Sequence, residues 1–198
     1  YTFSCNGHFP MFSYRSLNME DMDFSIHSDT SLLSFHLDGS SLYTDDGFEI
    51  LAPEIDVRFR DNKNELLIHW DNEDEPRYAG DIVTEGLLSL DDSLGNVYRL
   101  HIQPSYFYYD SKRFALPGSY LSLQKDNIVA DSIYIMGANQ FILANGTYSD
   151  SPGDSITLNV HNMNLHMFND LFTGFPLDLE GFLSGHTSLK KENGNPLI

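Results

Sequence analysis

The sequence is poor in the residues that would indicate a disulfide-bonded, nucleic-acid-binding or membrane-spanning protein. A single cysteine, Cys5, excludes an internal disulfide and a cysteine-based zinc cluster. Only 11 basic residues stand against 29 acidic ones, for a formal net charge of −18. Binding to nucleic acid or to an anionic membrane surface requires lysine and arginine, so this balance argues against both partners. No run of about eighteen apolar residues is present, and no segment is expected to cross a bilayer as a helix.

Targeting and catalytic patterns are missing as well. No signal segment precedes Tyr1, so we expect the chain to be a piece of a longer protein and Cys5 to be an incidental thiol. The 8 histidines follow no metal-ligand spacing, and we predict no metal site and no cofactor. Acidic pairs such as Asp178 and Glu180 suit the wet face of a strand better than glycosidic acid–base catalysis. The sequence therefore predicts no enzyme activity.

What the sequence does contain is short apolar alternation separated by turn residues. Alternate side chains of a strand lie on opposite faces, so this pattern indicates strands with one apolar and one wet face. Only Met163–Leu171 offers a helical turn or two, and the predicted class is all-β. Two hairpins are expected, one with Ser28–Ser31 as its turn and one with a polar four-residue turn at Asp61–Asn64. The clearest strands are Glu54–Arg60, Glu65–Trp70, Gln140–Ser149, Ser155–Val160 and Leu177–Ser184.

Two all-β architectures are compatible with this series, a closed sandwich or barrel and an elongated sheet. The aromatic run Tyr106–Tyr109 suits a sugar-stacking platform as well as an ordinary strand. A carbohydrate-binding β-sandwich module is therefore the alternative function. It predicts a closed core with exposed aromatic side chains around this run.

An ordered series of short motifs in the last third carries a family resemblance. Together they resemble the repeat region of the TamB family, the translocation and assembly proteins related to AsmA. The resemblance covers Phe114–Ile198 and extends more weakly to Ile50–Leu90. It divides the chain into a β-rich segment, residues 1–113, and a continuous TamB-like repeat segment, residues 114–198. The motifs, in order, are Gly146-Thr147-Tyr148-Ser149, Asn162-Met163-Asn164-Leu165, Leu177–Gly185 and Asn195-Pro196-Leu197-Ile198.

The resemblance implies an architecture and a role without a catalytic motif. It implies an elongated, folded-over sheet, antiparallel or mixed, that forms a solenoid-like groove with an apolar inner face. The implied function is phospholipid transport between the inner and outer membranes and outer-membrane biogenesis. The segment would lie in the periplasm of a Gram-negative bacterium, in a parent chain anchored in the inner membrane. The implied partners are phospholipid acyl chains and an outer-membrane barrel assembly protein of the TamA type.

Strand parity within the last third selects the side chains that would face such a groove. A slip of one residue would turn the whole set toward water, so the prediction is a sharp one. The predicted groove residues are Ile142, Ala144, Ile156, Leu158, Val160, Leu177, Leu179 and Leu183.

Overall fold

The computed structural model describes residues 2–44, 48–71, 77–91, 95–171, 179–192 and 195–197, and in these residues the chain is almost entirely β. Its only helix there, α1 (His166–Leu171), has 6 residues. No helix in these ranges has the length and apolar character needed to cross a membrane. The strands are β1 (Phe3–Tyr14), β2 (Leu17–Ser28), β3 (Leu32–Asp38), β4 (Ser41–Thr44), β5 (Glu49–Leu51), β6 (Glu54–Arg60), β7 (Lys63–Trp70), β8 (Tyr78–Asp91), β9 (Gly95–Ile102), β10 (Ser105–Tyr109), β11 (Lys112–Leu116), β12 (Ser119–Gln124), β13 (Asn127–Met136), β14 (Phe141–Tyr148), β15 (Ile156–Asn164), β16 (Phe182–Glu192) and β17 (Asn195–Leu197).

These strands form one large antiparallel sheet. Following the pairing from one edge to the other, its main line is β1, β2, β3, β6, β7, β8, β9, β12, β13, β14, β15, β16. The long strand β8 pairs with β10 through its first residues and with β9 through its later ones. The strands β10 and β11 thus lie between β8 and β13, end to end with β9 and β12. The strands β4 and β5 extend the sheet from β2, and β17 pairs with β16. All strand pairs between described residues are antiparallel, so of the two kinds of sheet expected, antiparallel or mixed, the antiparallel one is observed.

The predicted strands agree with the observed ones in most places. Glu54–Arg60 is β6, and the other predictions overlap β7, β14 and β15 with ends that differ by up to four residues. The turn between β6 and β7 is shorter than predicted, because β7 already begins at Lys63. The first two residues of the predicted strand Leu177–Ser184 lie outside the described residues, and the prediction is wrong for residues 179–181, because strand β16 begins at Phe182, after Gly181 at φ 93°. The boundary at residues 113 and 114 falls inside β11, and β12 pairs with β9, so the sheet is continuous across it.

The turn between β2 and β3 shows how local chemistry sets the end of a strand. The side-chain Oδ1 of Asp29 accepts hydrogen bonds from the backbone amides of Ser31 (2.7 Å) and Leu32 (2.8 Å). These bonds satisfy two donors that the turn would leave without a partner. They favour the carboxylate and hold the pKa of Asp29 below its ordinary value.

The register of the sheet lines up one residue from each strand of the main line. Directly opposite residues of an antiparallel pair share a face, so such a line is a row across the sheet. At about 4.8 Å per strand, it is about 50 Å long. We call it the apolar row, and it comprises Phe3, Ser28, Leu33, Phe59, Asn64, Gly86, Leu100, Leu121, Ala130, Gly146, Ile156 and Leu189.

Polar side chains occupy the matching positions of the other face. Each of them is the chain neighbour of a residue in the apolar row, and alternation places it on the opposite side. In this second row His101 stacks on Tyr120, with ring centroids 4.4 Å apart. We call it the polar row, and it comprises Ser4, His27, Ser34, Arg58, Glu65, Glu85, His101, Tyr120 and Asp131.

The best-packed region lies on the apolar row's face, near α1. Phe114 stacks on Phe107 with ring centroids 5.0 Å apart and is 1% exposed. Gly80 lies between Phe107 and Trp70, and a Cβ there would come within 2.7 Å of both side chains. This glycine therefore gives two aromatic rings room on adjacent strands. The buried residues of the cluster are Tyr78, Tyr109, Phe114, Met163 and Met167.

Candidate functional site

The five predicted groove residues on β14 and β15 share one face of the sheet. Ile142 lies opposite Val160, and Ala144 lies opposite Leu158, so these four side chains form two adjacent cross-strand pairs. Ile156 lies opposite Gly146 in the apolar row. All five are half-buried. Ile142 and Val160 also pack against the buried cluster near α1.

Among the remaining three predicted residues, Leu183 is the one that lies in a strand of the described chain, and it shares the face of the other five. Leu183 lies on β16 opposite Met163 and is 45% exposed. Leu179 is half-buried but precedes the strand, and the side chain of Asn169 hydrogen-bonds both its amide (2.9 Å) and its carbonyl (3.0 Å). Leu177 lies outside the described residues. The strand parity that linked Leu177, Leu179 and Leu183 in the prediction therefore does not apply to Leu179, because Gly181 interrupts the extended chain.

Two β-bulges keep apolar residues on this face where simple alternation would turn them away. The register shifts between Val160 and Met163, with Asn162 at φ 47°, so both of these residues share a face although they are three positions apart. A second shift lies between Ala130 and Ile133 on β13. Periodicity in the sequence carries no signal for these shifts.

Exposure changes along this face, from one end of the strands to the other. Near α1, Met163 of β15 and Met167 of the helix are buried, at 2% and 5%, although Leu183 on the neighbouring strand β16 is 45% exposed. At the apolar row and beyond it, away from α1, several large apolar side chains on the same face are 36–85% exposed, whereas Leu100, Leu121, Ile156 and Leu189 in the row are half-buried. We call this second set the exposed end, and it comprises Leu33, Phe59, Leu88, Leu90 and Leu123.

Sequence reasoning did not select the residues of the exposed end. Alternation within each strand assigns Leu33 and Phe59 to an apolar face, but nothing in either segment shows that the two residues lie next to each other. They are directly opposite in the β3–β6 pair, and Leu88 and Leu123 lie on either side of Tyr98. The only available signal was alternation in each strand, which assigns a face and not a neighbour.

The aromatic run Tyr106–Tyr109 does not form one platform, because its side chains alternate between the two faces. Phe107 and Tyr109 face the buried cluster, and Tyr109 is 9% exposed. Tyr106 and Tyr108 lie on the other face with their rings in an edge contact, centroids 6.1 Å apart. Only two of the four rings thus remain for contact with a ligand on the polar row's face.

Titratable groups gather on the face of the polar row. His69 Nδ1 lies 2.6 Å from Asp81 Oδ1, across the pair β7–β8. Burial alone would raise the pKa of Asp81, but hydrogen bonds from His69 and Tyr106 lower it below its ordinary value. The hydrogen bond to Asp81 in turn raises the pKa of Tyr106. The ordinary role of such a chain is to fix the alignment of β7, β8 and β10.

One histidine has the surroundings of a metal ligand. Atoms of His36, Glu54 and Asp56 that can bind a metal all lie within 4.8 Å of one another. The prediction of no metal site rested on the lack of any metal-ligand spacing among the histidines. His36 is about twenty positions from Glu54 and Asp56, and only the register of β3 with β6 brings them together. Asp178, one of the carboxylates considered for catalysis, lies outside the described residues, and Glu180 is exposed ahead of β16.

Comparisons with known proteins add nothing to this picture. No protein-family model matches the chain, and neither curated proteins nor solved structures yield a match.

Proposed function

We propose that the chain binds phospholipid acyl chains along the apolar row and forms a segment of a lipid conduit with no catalytic step. The observation that carries this proposal is the apolar row itself, which continues from β1 to β16. Of its members only Ser28 and Asn64 have polar side chains, and Asn64 Oδ1 accepts a hydrogen bond from Tyr98 (3.0 Å).

Exposure of the apolar side chains supports the same proposal. Exposed large apolar residues mark a surface that gains free energy when covered. Here they form two groups, Leu33 opposite Phe59, and Leu88 and Leu123 on either side of Tyr98. Each CH₂ group moved out of water contributes about 0.8 kcal/mol, so an acyl chain lying across several strands gains several kcal/mol. Leu90, 85% exposed, and Leu88, 47% exposed, are the residues that a first acyl chain would cover.

The charge of the chain favours one kind of lipid. A net charge of −18 repels anionic head groups, and the polar row is well solvated. We therefore expect acyl chains of zwitterionic phospholipids to bind more tightly than those of anionic ones. The periplasmic location, the barrel partner of the TamA type and transport between two membranes are parts of the proposal that rest on the resemblance to the TamB family.

A lipid-capture experiment tests the proposal on the purified chain. A photo-crosslinking amino acid at position 158 is exposed to vesicles of phosphatidylethanolamine, and captured lipid is identified by mass spectrometry. The same assay is run with Leu123→Asp, which places a carboxylate under the bound chain, and with Tyr120→Asp on the same strand but on the opposite face. Removing water from a carboxylate costs several kcal/mol, so Leu123→Asp should reduce capture by about tenfold or more.

The control decides how the result is interpreted. Tyr120 is 56% exposed and Leu123 36% exposed, so both variants place a new charge at a solvent-accessible position. Capture should be unchanged in Tyr120→Asp. If no lipid is captured at position 158 in a folded chain, or if both variants reduce capture equally, the conduit is wrong. Sugar binding that is lost in Tyr106→Ala would instead support the carbohydrate-binding alternative.

A further inference from the structure

A block of four side chains on the polar row's face lies across strands β3 and β6. His36 is directly opposite Asp56, and Asp38 is directly opposite Glu54. His36 and Asp38 are two positions apart on β3, as Glu54 and Asp56 are on β6, so all four side chains point to the same side of the sheet. The side chains of His36 and Glu54 are 37% exposed and that of Asp56 is 21% exposed.

Both ring nitrogens of His36 face carboxylates. Nε2 lies 3.1 Å from Asp38 Oδ1, and Nδ1 lies 3.1 Å from Asp56 Oδ1 and 3.9 Å from Glu54 Oε1. A neutral imidazole carries one hydrogen and donates it at one nitrogen only. The other nitrogen then faces a carboxylate oxygen at contact distance with two lone pairs opposed. Either a second ring proton or a bound metal ion relieves this opposition, and the convergence of three potential ligand atoms within 4.8 Å of one another favours the metal ion.

We propose that His36, Glu54 and Asp56 bind a divalent transition-metal ion of the Zn²⁺ class, with Asp38 holding the imidazole in place. In this arrangement Nε2–H donates to Asp38, and Nδ1 binds the metal together with one oxygen each from Glu54 and Asp56. In such sites, the ring nitrogen that does not bind the metal usually donates its N–H to a carboxylate, which fixes the orientation of the imidazole.

The distances fit this ion. Ligand atoms about 2.0–2.2 Å from a tetrahedral Zn²⁺ lie about 3.4 Å from one another. The observed separations of 3.1 Å and 3.9 Å from His36 Nδ1 bracket that value, so small side-chain rotations complete the site. Water fills the remaining position, as the partial exposure of the three residues permits.

Charge provides a second reason for a cation. Asp38 lies opposite Glu54 on one side and opposite Asp23 on the other, so three carboxylates stand directly across from one another on adjacent strands. Like charges in opposite positions of a sheet are destabilising. The guanidinium of Arg58 reaches the edge of this block, where its Nη2 lies 4.0 Å from Asp56 Oδ1. A bound divalent ion offsets this repulsion and links β3 to β6.

Titration calorimetry with Zn²⁺ on the purified, tag-free chain tests the site. We expect one ion per chain. His36→Ala removes the imidazole ligand, and Glu54→Gln replaces a ligand carboxylate with a neutral amide. Each variant should weaken Zn²⁺ binding by about tenfold or more. The matched control is His8→Ala, because His8 contacts the single carboxylate of Asp23 (3.2 Å) on the same face. That variant should bind Zn²⁺ with unchanged affinity.

X-ray absorption at the zinc edge keeps the test decisive if a variant folds poorly. The site predicts one imidazole nitrogen together with oxygen ligands in the unaltered chain. An oxygen-only shell overturns the proposal, as does the absence of Zn²⁺ binding. Equal losses in His36→Ala and His8→Ala overturn it as well, because they would indicate diffuse attraction to the acidic surface. The Zn²⁺ measurements do not test lipid binding, because position 158 lies on the opposite face of the sheet.

Discussion

A charge placed at the two ends of the apolar row's face should have very different effects on stability. Leu88 and Met163 lie on this face, and they are 47% and 2% exposed. We compare Leu88→Asp with Met163→Asp. Both replace an apolar side chain with a carboxylate, but water reaches only the first position.

The expected free energies of unfolding follow from the exposure. Full burial of a leucine or methionine side chain contributes about 1.5–3 kcal/mol, so half-exposed Leu88 loses about 1 kcal/mol, with up to about 1 kcal/mol more for aspartate in a strand. At Met163 the whole contribution is lost, and burial of a carboxylate costs several kcal/mol in addition. Met163→Asp should therefore lose about 5 kcal/mol or more, out of the 5–15 kcal/mol typical of a folded domain.

Urea unfolding followed by the fluorescence of Trp70, the single tryptophan, measures both losses. Leu88→Asn separates the effect of charge from the loss of apolar surface. If Met163→Asp does not fold, Met163→Ala takes its place, with an expected loss of about 2–5 kcal/mol. Equal losses in Leu88→Asp and Met163→Asp would refute the reasoning, because they would mean that the exposed end is as closed to water as the end near α1.

Two further predictions concern single positions. Gly146→Ala should destabilise the chain by at least about 2 kcal/mol more than Gly153→Ala: both glycines have positive φ (126° and 98°), but only at position 146 would a Cβ meet backbone, the carbonyl oxygen of Ser155. Urea midpoints measure the difference, and equal midpoints would contradict it. Tyr106→Phe should raise the pKa of Asp81, because it removes one of the hydrogen bonds that outweigh the effect of burial on that carboxylate. Since a lowered pKa contributes stability that is lost as pH falls through it, the variant should differ most from the unaltered chain above the ordinary pKa of aspartate and least in acid. Carboxyl ¹³C titration measures the shift, and an unchanged pKa would contradict the assignment.

The agreement between sequence and structure is best where a prediction depends on neighbours in the chain. The strand Glu54–Arg60 was predicted with its observed ends, because alternation and the turn residues on both sides lie within a few positions. Leu177–Ser184 was predicted as a strand from the same kind of alternation, but Gly181 at φ 93° interrupts it. A glycine in a strand pattern is compatible with extended chain and with a break, and the local sequence does not select between them.

The strand content of this protein, and the side chains of each strand that share a face, follow from the amino-acid sequence alone. That information is local, since a strand alternates its side chains whatever it pairs with. Which faces become continuous depends on the folded arrangement of the strands, because register joins segments that are far apart in the chain. The bulge at Asn162 places Met163 beside Val160, and the pairing of β3 with β6 brings His36 to Glu54 and Asp56. Both proposed sites depend on this pairing, and no periodicity within a single strand contains it.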